Sequence, residues 1–402
     1  MKVTFYYISN GKMYLYDGES SKEINSWVLD SYILKVKSRA EQNEWKYNGT
    51  GAAFTGSAMP HASASSAVGS IFSRVNCVGE HNGNLLYSMD IDTTNGIYRK
   101  TPDSESEGMV LCSSSTAYRD FDIKCNRMVA SASFAGESHI GILDLVTGRF
   151  DTYTEGHVRD STPVWSSVCE DEVYFSSAGL PENDKKAPEE NEHPRGISQI
   201  VDEMYSSASV RLGPSAICLL NIREGRLTEV LSNNEYDYTH PYSAPDGSLY
   251  YIRKPYKKAT SGKSFGCLTD LVMLPVRLFQ ALFGFLNVFS AKYSGKTLSR
   301  SDVKQKEDEE IFIDGNLINA EKELQENARR GEKNPGIIPR SWELRRLDRN
   351  GIDTLIRTGV AAYRVDSESG AIIISNGSHI LYIDADGKEE KLLTARGVTF
   401  IK

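Results

Sequence analysis

Cysteine is scarce and unpatterned in this chain of 402 residues. The six cysteines, at 77, 112, 125, 169, 218 and 267, include no C-x-x-C pair. That excludes a disulfide framework and a thiolate zinc site, and it points to free thiols in a reducing cytoplasm. Histidine is scarce too. None of the seven stands at metal-ligand spacing from a cysteine or carboxylate on one element, so neither a metal nor a cofactor is expected. There is no Walker loop and no dinucleotide fingerprint, which removes the commonest nucleotide-binding readings. A basic excess is absent as well. The formal charge of −8 gives no electrostatic footprint for nucleic acid, and no nucleic-acid partner is expected. The opening MKVTFYYISNGK lacks the apolar stretch and small-residue cleavage site of a secretory signal, so the expected location is cytoplasmic.

What the chain does contain is a repeated β pattern. His139 to Ser177 holds three short apolar runs, IGILDL, FDTYT and VYFSS. The first two are joined at Thr147-Gly148, where glycine supplies the positive φ of a tight hairpin. The segment DSTPVWSS precedes the third. Ile217 to Ile252 repeats the order of parts, with a turn at Gly225, then His240-Pro241, then a turn at Asp246-Gly247. The C-terminal stretch AIIISNGSHILYIDADGKEEKLL matches the N-terminal FYYISNGKMYLYDGESSKEI, and Ser9-Asn10-Gly11 and Ser375-Asn376-Gly377 each predict a hairpin. Self-similarity near forty residues means repeated four-stranded blades, because one such sheet cannot bury both of its faces alone.

These units resemble the TolB-like, WD-repeat-related β-propeller family. The matching pieces are Asp144-Leu145-Val146-Thr147-Gly148, Asp160-Ser161-Thr162-Pro163-Val164-Trp165-Ser166 and Ser243-Ala244-Pro245-Asp246-Gly247. The resemblance implies fold and leaves function open, since propellers host many roles. The expectation is a single all-β domain over residues 1–402, a six-bladed β-propeller. Its C-terminal strand, in GVTFIK, pairs with the N-terminal blade and closes the ring, leaving no exposed sheet edge. Insertions are assigned at 27–69, 180–213 and 256–340; removing them leaves about 240 residues, roughly forty per blade.

The first insertion predicts a helix over Ser31 to Glu44, capped by Asp30 or Ser31, followed by a Gly/Ser/Ala-rich loop. The second, opening PENDKKAPEENEHPRG, is a charged, proline-rich loop. The third lies in the fifth blade and contains an apolar amphipathic helix, a charged linker and a polar helix over Glu321 to Arg330. In the apolar helix, residues 268–291, Asp270, Arg277 and Gly284 form a narrow stripe, while Leu271, Leu274, Leu278, Phe279, Leu282, Phe283, Phe285 and Phe289 cover most of the circumference. The run is about 19 residues long, near the ~20 needed to cross a bilayer. Both its ends return to one blade, so crossing is not expected. The helix either lies on a membrane surface, docks on a partner, or packs on its own propeller.

Two constellations could carry chemistry. Arg74, Arg119, Arg159, Arg364 and Arg396 fall near the starts of innermost strands, whose ends line a propeller's funnel. A rim of arginine could grip an acidic tail or peptide carboxylate. Asp120, Asp160, Asp237 and Asp366 lie beside the same starts, and simple pairing within the blades is the competing role. For an enzyme, the acid–base candidates are Asp160, Asp237, His157 and His240. The expected function is a non-enzymatic scaffold. Its propeller face binds a protein or peptide, and its apolar helix contacts a partner or membrane surface. A funnel hydrolase or lyase, and a small-ligand sensor, are the alternatives.

Overall fold

A computed structural model describes residues 3–43, 68, 71–102, 104, 106–179, 213–256, 310–313 and 316–402. The apolar segment 268–291 and nearly all of 180–213 lie outside the described residues. Within them the chain is all-β, with two helices. The first sheet has the order β26 (Val398–Ile401), β1 (Phe5–Ser9), β2 (Lys12–Tyr16), β3 (Ser21–Ile24). A second comprises β4 (Ser73–His81), β5 (Asn84–Ile91), β6 (Thr94–Lys100) and β7 (Glu107–Ser113). Next come β8 (Ala117–Lys124), β9 (Arg127–Phe134), β10 (Glu137–Asp144) and β11 (Phe150–Thr152). One parallel pairing, Ser138 with Arg159, joins these to β12 (Val158–Trp165), β13 (Glu172–Gly179), β14 (Ala216–Asn221) and β15 (Arg226–Leu231). The repeat seen in the sequence at His139–Ser177 thus spans the end of one four-stranded group and the start of the next.

The remaining strands continue the pattern. β16 (Tyr236–Ser243) and β17 (Leu249–Pro255) pair with β20 (Glu343–Leu347) and β21 (Asp353–Thr358). Between them in sequence, a separate hairpin of β18 (Glu310–Ile313) and β19 (Asn316–Asn319) leads into helix α2 (Ala320–Arg329). β22 (Ala362–Val365), β23 (Ile372–Ser375), β24 (His379–Ile383) and β25 (Glu389–Thr394) complete the set.

Alternating side chains explain how these sheets hold together, since each buries both faces against neighbours. Ile8 packs with Tyr87, and Cys77 with Met128. Val129 packs with Trp165, and Ile217 with Leu249. Ile252 packs with Ile374, and Ile380 returns to Phe5. Each fully buried aliphatic or aromatic side chain contributes roughly 1.5–3 kcal/mol. A seventh cluster, of Ile313, Ile318, Ile337, Ile338 and Trp342, seats the hairpin and α2.

The helix expected over Ser31–Glu44 is α1, Trp27–Asn43, and it starts four residues earlier. Its cap is neither Asp30 nor Ser31. Ser26 Oγ accepts from the Leu29 amide at 3.2 Å and Ser26 O from the Asp30 amide. The reason lies on another sheet. Glu107 Oε2 accepts from Ser26 Oγ (3.1 Å), the Val28 amide (2.9 Å) and Tyr87 OH (2.9 Å). A carboxylate at a helix N-terminus meets free amides and the positive end of the helix dipole. Lys100 Nζ donates to the other oxygen at 3.1 Å, and the Glu107 side chain is 0% exposed. No local reading of residues 27–43 contains this partner.

Asp160 is the second buried carboxylate that fixes the fold, at 1% exposure. Thr154 Oγ1 and Ser177 Oγ donate to it at 2.5 and 2.7 Å, and its own carbonyl accepts from Ser131 and Ser138. Burial raises its pKa against the opposing effect of the two hydroxyls and of His139.

Glu107→Ala is expected to lower stability by about 3 kcal/mol in urea unfolding, because Lys100 and the α1 amides lose their buried partner. Glu107→Gln is expected to lose less. For Asp160 the linkage has a definite sign. A folded pKa above the unfolded value of about 3.9 means that the folded state binds more protons between the two, so this residue's contribution falls as pH rises through that window. Replacement by Asn is expected to flatten that slope. Parallel stability–pH curves for the wild type and Asp160→Asn would refute the linkage.

Candidate functional site

The first strands β4, β8, β12 and β16 lie side by side in that order, and side-chain bonds cross between them. Cys77 Sγ donates to Phe121 O at 3.3 Å and accepts from its amide at 3.4 Å. Asp120 Oδ2 accepts from the Thr162 amide at 3.3 Å, and Asp122 Oδ2 from the Trp165 amide at 3.1 Å. Tyr363 OH donates to His240 O at 2.6 Å. Register shifts recur in β4, β8, β12 and β16, at Val75/Cys77, Tyr118/Phe121, Ser161/Val164 and Thr239/Tyr242. Thr162 and His240 take φ values of +49° and +54° at the last two. A bulge leaves backbone groups unpaired in its own sheet and re-aims them toward a neighbour. Here the side chains of the adjacent strand receive them.

At the leading ends of these strands, Arg74 and Asp90 are cross-strand partners on β4 and β5, so their side chains share a face. Asn76 Nδ2 donates to Asp90 Oδ2 at 3.1 Å, while Oδ1 has no hydrogen-bond partner among the described residues. Arg119, on the next first strand, faces the same acid. Burial, and then the proximity of Arg119, lowers the Arg74 pKa, with Asp90 and Asp120 acting in the opposite direction. Burial raises Asp90 despite both arginines and Asn76. On the other side of Arg74 lies the Asn10-Gly11 turn. A Cβ on Gly11 would stand 3.4 Å from Arg74 Cα, and Gly11 O accepts from the Val75 amide at 2.8 Å. The same turn touches the residues before β26: Ser9 Oγ donates to Arg396 O at 2.6 Å and the Asn10 amide to Gly397 O. Two strands on from Arg74, Arg159 is held by its Nε, which donates to Gly136 O at 2.8 Å.

Four of the five expected arginines, 396, 74, 119 and 159, therefore stand at the leading ends of β26, β4, β8 and β12. Arg364 does not join them. Its Nη1 donates to Thr4 O at 3.2 Å, and it lines a recess with Val3, Asp366, Ala371, Ile373 and Tyr382. Thr4 precedes β1 at the end opposite the Asn10-Gly11 turn. The sequence places Arg364 near a strand start, but β22 has only four residues and Arg364 is the third of them, nearer its end. There it neighbours Lys402, whose Nζ lies 2.6 Å from Asp122 Oδ1 and whose pKa that carboxylate raises against the effect of burial.

The acid–base candidates have separate surroundings. Asp160 is enclosed by Thr154 and Ser177. Asp237 Oδ1 accepts from the Ser215 amide at 2.8 Å. His157 is exposed, with Nδ1 2.7 Å from Glu137 Oε1. His240 holds a bulge. Among the described residues no group of His, Cys, Asp and Glu is placed to hold a metal ion, and no helix is long and apolar enough to cross a membrane. Sequence reading missed Asp90, Asn76 and Glu107. The cross-strand position of an acid opposite Arg74 is a signal that register alone could have supplied.

No family model and no curated protein matches the sequence. Solved structures with a similar fold include TolB from Acinetobacter baumannii, at 8% identity and a TM-score of 0.45, covering 99% of this chain and 64% of that one. A putative TolB from Agrobacterium tumefaciens is 12% identical with a TM-score of 0.43, covering 81% and 82%. Oligogalacturonate lyase from Vibrio parahaemolyticus is 9% identical with a TM-score of 0.38, covering 81% and 79%. The chain spans 64% of the length of the Acinetobacter protein. With its successive four-stranded antiparallel sheets packed face to face, the chain is similar in fold to the TolB-like β-propeller proteins.

Proposed function

We propose that this chain is a six-bladed β-propeller, closed by β26 pairing with β1, and that it serves as a non-enzymatic interaction scaffold. The cyclic order of the inter-sheet clusters and the β26–β1 register support the closed ring. One observation carries the functional reading. Arg396, Arg74, Arg119 and Arg159 occupy the leading ends of four neighbouring first strands, where a protein or peptide partner can reach several of them at once. Arginine's planar fork suits carboxylates on such a partner. The acid–base candidates are spent on local bonds instead, as the Asp160 and Asp237 contacts illustrate. The apolar run with Leu271, Leu274, Leu278, Phe279, Leu282, Phe283, Phe285 and Phe289 lies in the β17–β18 connection and supplies a second contact, to a partner or a membrane surface. Buried, free Cys77 and Cys218 and exposed, free Cys112 and Cys125 support a reducing, cytoplasmic setting.

Affinity capture and vesicle flotation with the full chain, wild type against Phe279→Ser/Phe283→Ser/Phe285→Ser, test the two contacts separately. The triple variant is expected to lose flotation or one set of partners by roughly tenfold, and to keep partners held by the ring. Identical capture and flotation would remove the apolar contact. A wild-type chain that captures no protein at all would remove the scaffold.

A further inference from the structure

Several arginines elsewhere among the described residues are neutralised in place. Arg345 is bonded to Glu343 and Asp353, Arg357 to Glu389, and Arg149 to Asp151. Acids in and around the first strands are engaged as well. Asp120 takes the Thr162 amide, Asp237 the Ser215 amide, and Glu137 is shared by His157 and His139. Arg74 makes no ion pair among the described residues, and its electrostatic neighbours are another arginine and two acids. Arg396 is exposed and likewise makes none. Asp90, set between Arg74 and Arg119, is buried to 4% exposure with one oxygen on Asn76. It offsets the charge of the two guanidiniums from below without engaging Arg74 in an ion pair.

We propose that this end of the molecule docks an acidic peptide segment through its Asp and Glu side chains, with Arg74 and Arg396 as the principal contacts and Arg119 and Arg159 extending the track. The inference rests on the scaffold reading and narrows it to one end of the ring and one class of partner. An extended chain presents alternate side chains about 7 Å apart, so one segment can engage arginines on several strands. The track follows chain order, from the residue pair before β26, past the Asn10-Gly11 turn, to β4 and on to β8 and β12. The opposite end cannot substitute. There Lys402 is matched by Asp122, and Arg364 is tied to Thr4 O. Two guanidiniums held together under partial burial destabilise each other's charge, and carboxylates from a partner relieve that repulsion.

The test is fluorescence anisotropy of a labelled decapeptide of alternating Glu and Gly, titrated with the full chain at 50 and 300 mM NaCl. A Gly-Ser decapeptide is the uncharged comparison, and each peptide is prepared with a free and an amidated C-terminus. The Glu peptide is expected to bind, to weaken with salt, and to bind equally with either terminus. Arg74→Gln and Arg396→Gln should each weaken it roughly fivefold, while Arg364→Gln and the outer-strand Arg226→Gln leave it unchanged. Arg396 is exposed, so its variant keeps the test open even if Arg74→Gln fails to fold. Equal binding of the Gly-Ser peptide would overturn the proposal, as would dependence on a free terminus. So would a loss in Arg364→Gln matching that in Arg396→Gln, or preference for phosphatidylserine vesicles over the peptide. If the protein still captures partners when Arg74 and Arg396 are both replaced, the track falls and the scaffold reading stands.

Discussion

The pairing of Val398–Ile401 with Phe5–Ser9 is the constraint on which the other arrangements depend. Tyr7 faces Ile401 and Ser9 faces Val398, and Tyr6 and Lys402 exchange both backbone bonds at 2.8 Å. These few bonds join residues nearly the full described chain apart, so the loop-closure cost of bringing them together is met once. The return is large. With β26 in place, Ile380 and Ile373 find Phe5 and Tyr7, and the last sheet has a partner for its second face. Lys402 then reaches Asp122, which also holds the Trp165 amide, so the chain's final described residue touches β8 and, through it, β12. The same pairing sets Arg396 beside the Asn10-Gly11 turn and hence beside Arg74.

A second regularity operates between sheets. The second strand of five sheets carries a buried serine: Ser9, Ser88, Ser131, Ser176 and Ser375. Ser88 donates to Arg119 O at 2.9 Å and Ser131 to Asp160 O at 2.7 Å, each on the first strand of the following sheet. Ser375 Oγ reaches Val398 O at 3.4 Å in the same sense. Bulged first strands expose carbonyls that their own ladder does not use, and a buried carbonyl without a donor costs about 1–3 kcal/mol. A serine is small enough to fit where sheets approach and polar enough to answer that carbonyl. The repeat is thus as much a repeat of hydrogen bonds as of apolar faces. The device also fixes the carbonyls flanking Arg119 and Arg159, which is how a feature of packing orients groups at the candidate site.

Legibility in the sequence followed the range of the interactions involved. Strands set by alternation and short turns could be read locally: the runs IGILDL, FDTYT and VYFSS lie in β10, β11 and β13. Local reading stopped short where a distant partner sets the detail. Both Ser-Asn-Gly hairpins form, β1 with β2 and β23 with β24, and Asn10 and Gly11 take φ of +51° and +74° in a two-residue turn. Asn376 instead uses its side chain to accept the Ser378 and His379 amides while its carbonyl accepts from Ile337 and Ile338. The inserted segment before β20 makes the difference, and no tripeptide encodes that. The start of α1 at Trp27 was hidden for the same reason, since Glu107 lies some eighty residues away. The inward serines were visible as letters, but without knowledge of which strand carries a bulge they read as ordinary small residues.

The candidate site shows why charge must be read with register rather than by proximity in sequence. Asp120 follows Arg119 and Asp160 follows Arg159, which suggests two neutral pairs. In a strand, adjacent residues point to opposite faces, so neighbours in sequence are poorly placed to pair side by side. Asp160 turns inward to Thr154 and Ser177, and Asp120 turns to the Thr162 amide of the next sheet. Only Arg74 and Arg396 of the leading-end arginines make no ion pair among the described residues. Arg74 and Asp90, opposite each other across β4 and β5, do share a face, and there the acid lies deeper than the guanidinium and gives one oxygen to Asn76. An acid set opposite a cation in this way opposes the lowering of the cation's pKa by burial. A partner that supplies carboxylates from outside therefore meets arginines already placed by the fold, with little further ordering required of them.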